Sequence, residues 1–116
     1  MGSTVTCDPE LMKKKCVPCE GGAEPLTAGE LKGLMGRVEG WELVDNKSIK
    51  KKFMHKDFVK AMKFVNKVAD VSEAEGHHPD IYIFYNKVKI ELSTHAIGGL
   101  SENDFILATK IDSGFE

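Results

Sequence analysis

The sequence predicts an α+β domain in which a four-stranded antiparallel sheet carries three helices packed on one face. Segments with the hydrophobic spacing of a helix alternate with pairs of segments rich in β-branched and aromatic residues, in the order α-β-β-α-β-β-α. The connection inside each strand pair is short, so the paired strands run antiparallel as hairpins. Each helix has one apolar stripe, and we expect these stripes to cover one face of the sheet.

The first helix is predicted to begin after Thr27 and to end at Gly40. Thr27 and Glu30 have the capping-box spacing, in which each side chain bonds the backbone N–H of the other residue. Glycine favours the end of a helix, which places the stop at Gly40. The apolar residues between these signals have the spacing of one buried face: Leu31, Leu34, Met35 and Val38.

The first strand pair is predicted over Trp41–Val44 and Ile49–His55, with a polar turn between the strands. A long helix then covers Phe58–Glu75, because Asp57 is a favourable N-cap and Gly76 a favourable stop. Aromatic residues outside the expected core face are candidates for a contact between subunits. Those residues are Phe53, Phe64, Tyr82 and Phe84.

The second strand pair is predicted over Ile81–Tyr85 and Val88–Thr94. If residues 86–87 form a two-residue turn, apolar residues face each other along the hairpin. The same register sets His78 opposite His95, so two imidazoles that are distant in sequence are expected to lie close together.

The last helix is predicted to run to about Ile111. Ser101 and Asp104 mark its start with the spacing of a second capping box, in which aspartate replaces the usual glutamate. Residues 26–116 are thus expected to form one domain. Residues 1–25 differ from it, because they hold three of the four prolines and all three cysteines, and we interpret them as an irregular arm.

The arm contains Cys16 and Cys19 at CxxC spacing, with Cys7 upstream. A single CxxC is a weak signal, because zinc sites normally combine two such pairs or add nearby histidines. Inert thiols, a zinc site and a redox pair all stay open. The odd number of cysteines and the lack of a signal-peptide pattern favour a reducing compartment, so we expect a cytoplasmic protein.

The composition argues against several classes of protein. The chain has 116 residues, of which 41% are hydrophobic and 29% charged, as in a soluble globular domain. Its formal net charge of −2 argues against a dedicated nucleic-acid binder. No apolar run approaches the roughly 20 residues of a membrane helix. The lysine runs at 13–15 and 50–52 are therefore interpreted as solvated surface.

Three of the four histidines lie around the second hairpin, namely His77, His78 and His95. Imidazoles titrate near neutral pH, so such a group can hold a proton donor and a proton acceptor together. Glu73 or Glu75 could orient one of the rings. Three imidazoles also suit a catalytic zinc ion, although neighbours in an extended chain point to opposite sides. Acid–base catalysis, a zinc-dependent hydrolase and histidines without a role stay open on these residues alone.

Four spaced motifs lie in and around this hairpin. They are Glu73-x-x-x-His77-His78-Pro79, Tyr85-Asn86-Lys87-Val88, Leu92-Ser93-Thr94-His95 and Gly99-Leu100-Ser101-x-x-Asp104. Together they resemble the pterin-4a-carbinolamine dehydratases, and the resemblance extends from about Leu26 to Ile111. It implies a hydro-lyase that converts 4a-hydroxytetrahydropterin (or its biopterin form) to quinonoid dihydropterin, in the recycling of the tetrahydropterin used for aromatic amino acid hydroxylation.

The resemblance also implies a set of partners. It implies no metal and no cofactor, a pterin as small-molecule substrate, and a homodimer joined sheet edge to edge or a homotetramer. Direct contact with nucleic acid or with a membrane is not expected. Some family members bind the dimerisation helices of a transcription factor, so a helix-binding coactivator, with the nucleus as a second location, is the alternative function.

At the matching positions, the resemblance assigns the acid–base pair to His77 and His95, with exchangeable roles. Glu73 would orient a histidine, and Asp104 would support His95 or the substrate hydroxyl. The substrate-binding positions are Gly76, His77, His78, Pro79, Ser93, Thr94, His95 and Ala96.

Overall fold

The structure is a computed structural model that describes Leu11, Lys13, Lys14, Cys16 and residues 24–115. Residues 24–115 contain three α-helices, one short 3-10 turn and one antiparallel sheet. The elements are α1 (Ala28–Met35), β1 (Glu42–Val44), β2 (Ser48–Met54), α2 (Phe58–Glu75), β3 (Asp80–Phe84), β4 (Lys87–Leu92) and α3 (Glu102–Phe115). The predicted α-β-β-α-β-β-α order is confirmed. The strands lie in the order β1-β2-β4-β3, so β1 and β3 form the two edges of this sheet.

Helix α1 begins as predicted but ends earlier. Thr27 and Glu30 form the capping box, with hydrogen bonds of 3.3 Å to the threonine hydroxyl and 2.8 Å to the glutamate carboxylate. The predicted end at Gly40 is wrong, because the helix ends at Met35 and is capped by Gly36. Low helix propensity is not the reason, because Gly29 and Gly33 lie inside the helix. After Met35 the backbone changes to tighter turns, in which the N–H of Arg37 bonds the carbonyl of Leu34 at 2.9 Å. Gly40 instead takes a φ of +81° in the turn that leads to β1.

Helix α2 has the predicted bounds Phe58–Glu75. Asp57 caps its start by accepting a hydrogen bond of 2.9 Å from a backbone N–H. Gly76 ends it in the left-handed conformation with φ 69°, which glycine adopts at little cost. The N–H groups of Gly76 and His77 both donate to the carbonyl of Ser72, at 2.9 and 3.2 Å. The cap therefore fixes the backbone of His77 against the end of the helix.

The β3–β4 hairpin has a different register from the predicted one. Tyr85 and Asn86 form the turn, one position earlier than expected, so Phe84 pairs with Lys87. Each cross-strand partner thus moves by two positions, which leaves every side chain on its predicted face. The turn itself explains the shift. Tyr85 takes a φ of 53°, and Asn86 makes backbone and side-chain hydrogen bonds of 2.7 and 3.1 Å to His55 at the end of β2.

The core lies between one face of the sheet and the helices. Phe53 of β2 is 1% exposed, and its ring centroid lies 4.6 Å from that of Phe64 in α2. The predicted subunit contact through these two rings is therefore wrong, since both belong to the core. Along β4 every second residue is buried, as a sheet covered on one face requires. These residues are Val88, Ile90 and Leu92.

Two residues of the predicted arm are also buried in this core. Leu11 is 0% exposed and Cys16 is 6% exposed. Cys7 and Cys19 lie outside the described residues, so the function of the CxxC pair stays a prediction, as does the boundary between residues 1–25 and 26–116. In the part of the chain that the structure describes, no helix has both the length and the apolar character needed to cross a membrane.

Helix α3 continues beyond the predicted end at Ile111, and its later turns hold a buried ion pair. Asp112 Oδ1 lies 2.8 Å from Lys51 Nζ, and its Oδ2 accepts from Trp41 Nε1 at 3.0 Å. The Lys51 side chain is only 14% exposed. The interpretation of residues 50–52 as solvated surface is therefore wrong for Lys51. Burial raises the pKa of Asp112, and the hydrogen bonds from Lys51 and Trp41 oppose that shift.

His55 is expected to make the stability of the fold depend on pH. Burial lowers the pKa of His55 from its ordinary value of 6.5, so the unfolded chain takes up a proton more readily than the folded one. The stabilising contribution of neutral, buried His55 to the free energy of unfolding is therefore complete above pH 6.5 and is lost as the pH falls below that value. We expect acidification to lower the midpoint of thermal unfolding more in the parent than in His55→Gln. Circular dichroism measures the midpoint. An equal fall of the midpoint in the two proteins would contradict this expectation.

Candidate active site

The end of α2 and the start of α3 bring His77 and Asp104 together. His77 follows the glycine cap of α2, and Asp104 lies in the first turn of α3. His77 Nε2 is 2.6 Å from Asp104 Oδ1. The Asp104 side chain is 0% exposed and that of His77 is 12% exposed, so a buried carboxylate holds a partly accessible ring. The family resemblance pairs Asp104 with His95 or the substrate hydroxyl, whereas the structure shows His77 as its direct partner.

A second set of hydrogen bonds fixes the Asp104 carboxylate. Its Oδ2 accepts from the Thr94 hydroxyl at 2.8 Å and from the Ser101 N–H at 3.0 Å. The Ser101 bond is one half of the predicted second capping box. Because Thr94 donates its only hydroxyl proton to Asp104, the Ser101 hydroxyl is the donor in its 2.8 Å bond with Thr94. An ionised carboxylate only accepts, so Nε2 of His77 carries a proton in this arrangement.

His95 lies beside this network. Thr94 pairs with Gly99 through a backbone hydrogen bond of 2.7 Å, and a short 3-10 turn opens at His95 between them. His95 is exposed and directly follows Thr94, whose hydroxyl binds Asp104. The buried carboxylate of Asp104 therefore positions His77 by direct contact. It also fixes Thr94, the residue before His95.

His78 contacts a different carboxylate. Its Nε2 lies 2.5 Å from Glu73 Oε2, and the two side chains are 59% and 78% exposed. The prediction that His78 faces His95 across the hairpin is wrong, because the pairing of β3 with β4 ends at Asp80 and Glu91. His78 and His95 both lie beyond that last pair, in segments that are not extended strands.

The other predicted site positions lie on the two segments that meet at Asp104. Gly76 and Pro79 flank the two histidines after α2, and Gly76 is exposed. Ser93 and Ala96 flank Thr94 and His95 after β4, the first half-buried and the second exposed. Segments 76–79 and 93–96 are therefore neighbours in space, joined by the bonds of His77 and Thr94 to the same carboxylate.

The arrangement is suited to proton transfer. Within residues 24–115 and the four described residues before them, no three His, Cys, Asp or Glu side chains converge in a way that could hold a metal ion. His77 and His78 contact separate carboxylates, on α3 and on α2. An imidazole whose one nitrogen is held by a buried carboxylate can donate or accept a proton at the other.

Sequence comparison supplies an independent observation. The profile of one protein family, described as pterin 4 alpha carbinolamine dehydratase, matches residues 24–114. The chain belongs to this family. Pterin-4-alpha-carbinolamine dehydratases are hydro-lyases, enzymes that remove water from their substrate.

Bacterial relatives match this chain over most of its length. A protein of Nitrosomonas eutropha is 51% identical over 110 residues, which covers 94% of this chain and 95% of the relative. A protein of Nitrosospira multiformis is 50% identical over 107 residues, covering 92% and 94%. Both carry the name of a pterin-4-alpha-carbinolamine dehydratase.

Two solved structures share the dehydratase fold. A transcriptional coactivator/pterin dehydratase from Brucella melitensis has a TM-score of 0.76 and 32% identity, and the match covers 80% of this chain and 100% of that one. A pterin dehydratase-like protein identified as a RuBisCO assembly factor of the alpha-carboxysome has a TM-score of 0.58 and 22% identity, covering 66% and 90%. The second likeness concerns the fold alone.

The sequence does not reveal every hydrogen bond around Asp104. It places Thr94 in the pocket wall without its bond to Asp104, and it gives Ser101 only a capping function. The available signal was the capping-box spacing, which predicts a carboxylate directed back at the Ser101 N–H. Glu75, considered as a partner for an imidazole, instead accepts a hydrogen bond from the backbone of Cys16.

Proposed function

We propose that this chain catalyses the dehydration of 4a-hydroxytetrahydropterin to quinonoid dihydropterin by histidine acid–base catalysis. The observation that carries the proposal is the 2.6 Å contact of His77 with the buried Asp104, with His95 placed next to the same carboxylate through Thr94. Membership of the dehydratase family supports the substrate class.

The reaction requires proton transfer at two atoms of the substrate. The hydroxyl on C4a leaves as water once it is protonated. The proton on N5 must be removed so that the double bond of the quinonoid product can form. General acid–base assistance of this kind contributes about 10²–10⁴-fold to a rate. Two imidazoles can hold the donor and the acceptor at the same time.

In this proposal His77 and His95 form the acid–base pair, and their roles can be exchanged. Asp104 holds the Nε2 proton of His77, which leaves Nδ1 for the substrate. Glu73 orients His78, which binds the pterin ring or its hydroxyl. The remaining contacts to the pterin come from the backbone of Gly76, Pro79, Ser93, Thr94 and Ala96.

We place this reaction in the cytoplasm, in the recycling of the tetrahydropterin that aromatic amino acid hydroxylases use. The proposed mechanism uses the imidazoles of His77 and His95 for both proton transfers. The odd number of cysteines supports a reducing compartment, since a secreted protein would normally pair them.

We also propose that the chain works as a homodimer or homotetramer. Strand β3 is a sheet edge, and its hairpin leaves Ile83 39%, Phe84 57% and Tyr85 65% exposed. An edge strand that carries exposed apolar side chains is a surface that a second copy can cover. Sedimentation equilibrium measures the assembly directly, and Phe84→Asp should shift it toward the monomer. A parent protein that sediments as a monomer would contradict this proposal.

A helix-binding coactivator is the second candidate function. It is favoured by the Brucella melitensis relative, whose name contains both functions, and by the exposure of Phe58 (46%) and Val59 (62%) on α2. Helix binding would be insensitive to His95→Ala, whereas the dehydration rate would fall. A zinc-dependent hydrolase would need His77 and His78 on one metal ion, and their contacts with separate carboxylates do not favour it.

The His95→Ala variant tests the proposed function. We expect its dehydration rate to be at least about tenfold below the parent rate, because one acid–base group is removed. His55→Gln is the matched control, since this histidine lies at the turn end of the hairpin and should keep the parent rate. Chelation by EDTA should leave the parent rate unchanged. An unchanged rate in His95→Ala, or a rate abolished by EDTA, would contradict the proposal.

A further inference from the structure

Glu75 is a largely buried carboxylate close in sequence to the candidate site. It is the last residue of α2, and His77 follows two residues later. Its side chain is 10% exposed. Oε1 accepts from the backbone N–H of Cys16 at 2.8 Å, and Oε2 accepts from Lys110 Nζ at 2.7 Å. Both carboxylate oxygens are thus occupied by donors from other parts of the fold, so the end of α2 is held on two sides.

Cys16 contacts the other half of the site. Its thiol donates to the carbonyl of Asn103 at 3.5 Å, one residue before Asp104. Burial, followed by the negative charge of Glu75, raises the pKa of the Cys16 thiol to about 12, so the thiol keeps its proton for this bond. One residue of the arm therefore bonds both the segment that carries His77 and the segment that carries Asp104.

Lys110 completes the connection from the side of α3. It lies on the same helix as Asp104, and its side chain is 18% exposed. The pair with Glu75 is largely shielded from solvent, so removing one partner leaves an uncompensated charge. By contrast, the side chains of the ion pair between Lys14 and Glu102 are 41% and 44% exposed, so this pair contributes little to stability.

We propose that Glu75 is a positioning residue: by binding Cys16 and Lys110 it fixes the end of α2 against α3 and so sets the geometry of His77 and Asp104. The inference rests on the proposed function for its kinetic consequence only. Glu75 does not contact the pterin; it acts through the backbone of His77. A displacement of about 1 Å in a catalytic group can cost up to about 100-fold in rate, so a weakened support is measurable.

Glu75→Gln and Lys110→Met test this inference, with Lys110→Arg as the conservative variant. We expect the first two to lower kcat for dehydration about tenfold while KM changes less than about twofold, because bound substrate meets a misplaced acid–base group. The imidazole ¹⁵N resonances of His77 should move in both variants. Lys110→Arg keeps the ion pair and should restore parent values. Glu102→Gln, which removes only the exposed pair, should match the parent in both readouts.

The two readouts separate the inference from the proposed function. If the parent shows no dehydration, the proposed function fails, and the His77 resonances still decide whether Glu75 positions the ring. Parent kcat and unmoved His77 resonances in a folded Glu75→Gln would overturn the inference. A variant with a lower unfolding temperature but unmoved His77 resonances would also overturn it, because Glu75 would then serve stability alone.

Discussion

Asp104→Asn is expected to lower the turnover number of dehydration about 100-fold, because it reverses the tautomer of His77. Thr94 and Ser101 both donate to one oxygen of the carboxylate, so the asparagine oxygen must occupy that position. Its amide NH₂ group then faces His77 Nε2 and donates to it. His77 must accept at Nε2 and carry its proton on Nδ1, which is the nitrogen assigned to the substrate.

Steady-state kinetics at neutral pH measures this effect, with circular dichroism to confirm that the variant folds. Asp80→Asn is a suitable control, since it removes an exposed carboxylate at the start of β3 with the same change of group. A folded Asp104→Asn protein with a turnover number within about twofold of the parent would show that the buried carboxylate does not support the reaction.

Phe53→Ala is expected to lower the free energy of unfolding by about 3–5 kcal/mol, the range for removing a large buried aromatic side chain. Phe53 is 1% exposed and links both layers of the domain. Its ring centroid lies 6.1 Å from that of Trp41 and 4.6 Å from that of Phe64. The cavity left behind is bordered by rigid rings, which limits how far the core can collapse into it.

Chemical denaturation measures this loss, and Lys52→Ala provides the matched control on the same strand. Lys52 precedes Phe53 and is exposed, so we expect its replacement to change the free energy of unfolding by no more than about 0.5 kcal/mol. Equal effects of the two substitutions would mean that Phe53 is not part of the main core.

Local signals predict some elements of this fold completely. The bounds of α2 follow from Asp57 and Gly76, because an N-cap and a left-handed glycine each act on the adjacent turn of the chain. The end of α1 does not follow in the same way. Glycines lie inside this helix, at Gly29 and Gly33, as well as after it, at Gly36 and Gly40, so a glycine alone does not mark where it ends.

Errors in the sequence prediction arise where tertiary contacts decide. The turn of the second hairpin is displaced because Asn86 bonds the end of β2, a strand far away in sequence. Lys51 is largely buried because it binds Asp112 of α3 and lies over the ring of Trp41. A lysine run alone contains no information about such partners, so the average expectation of solvation fails for one of its members.

The sequence predicts which residues gather at the candidate site more readily than which of them bond each other. The motifs place His77, His95 and Asp104 in one region, and the capping-box spacing correctly directs Asp104 toward Ser101. That Asp104 binds His77 depends on how α3 packs against the end of α2, which no local pattern encodes. The contact of Cys16 with both segments is likewise a property of the packed arm.

The most direct test of the account is the rate at which 4a-hydroxytetrahydropterin loses water in the presence of the purified parent protein. Formation of quinonoid dihydropterin is followed by absorbance against the same buffer without protein. The account predicts an acceleration of about 100-fold or more, the scale of acid–base assistance. It also predicts that this acceleration grows in proportion to protein concentration. A rate equal to that of buffer alone, with a folded protein, would contradict the central claim.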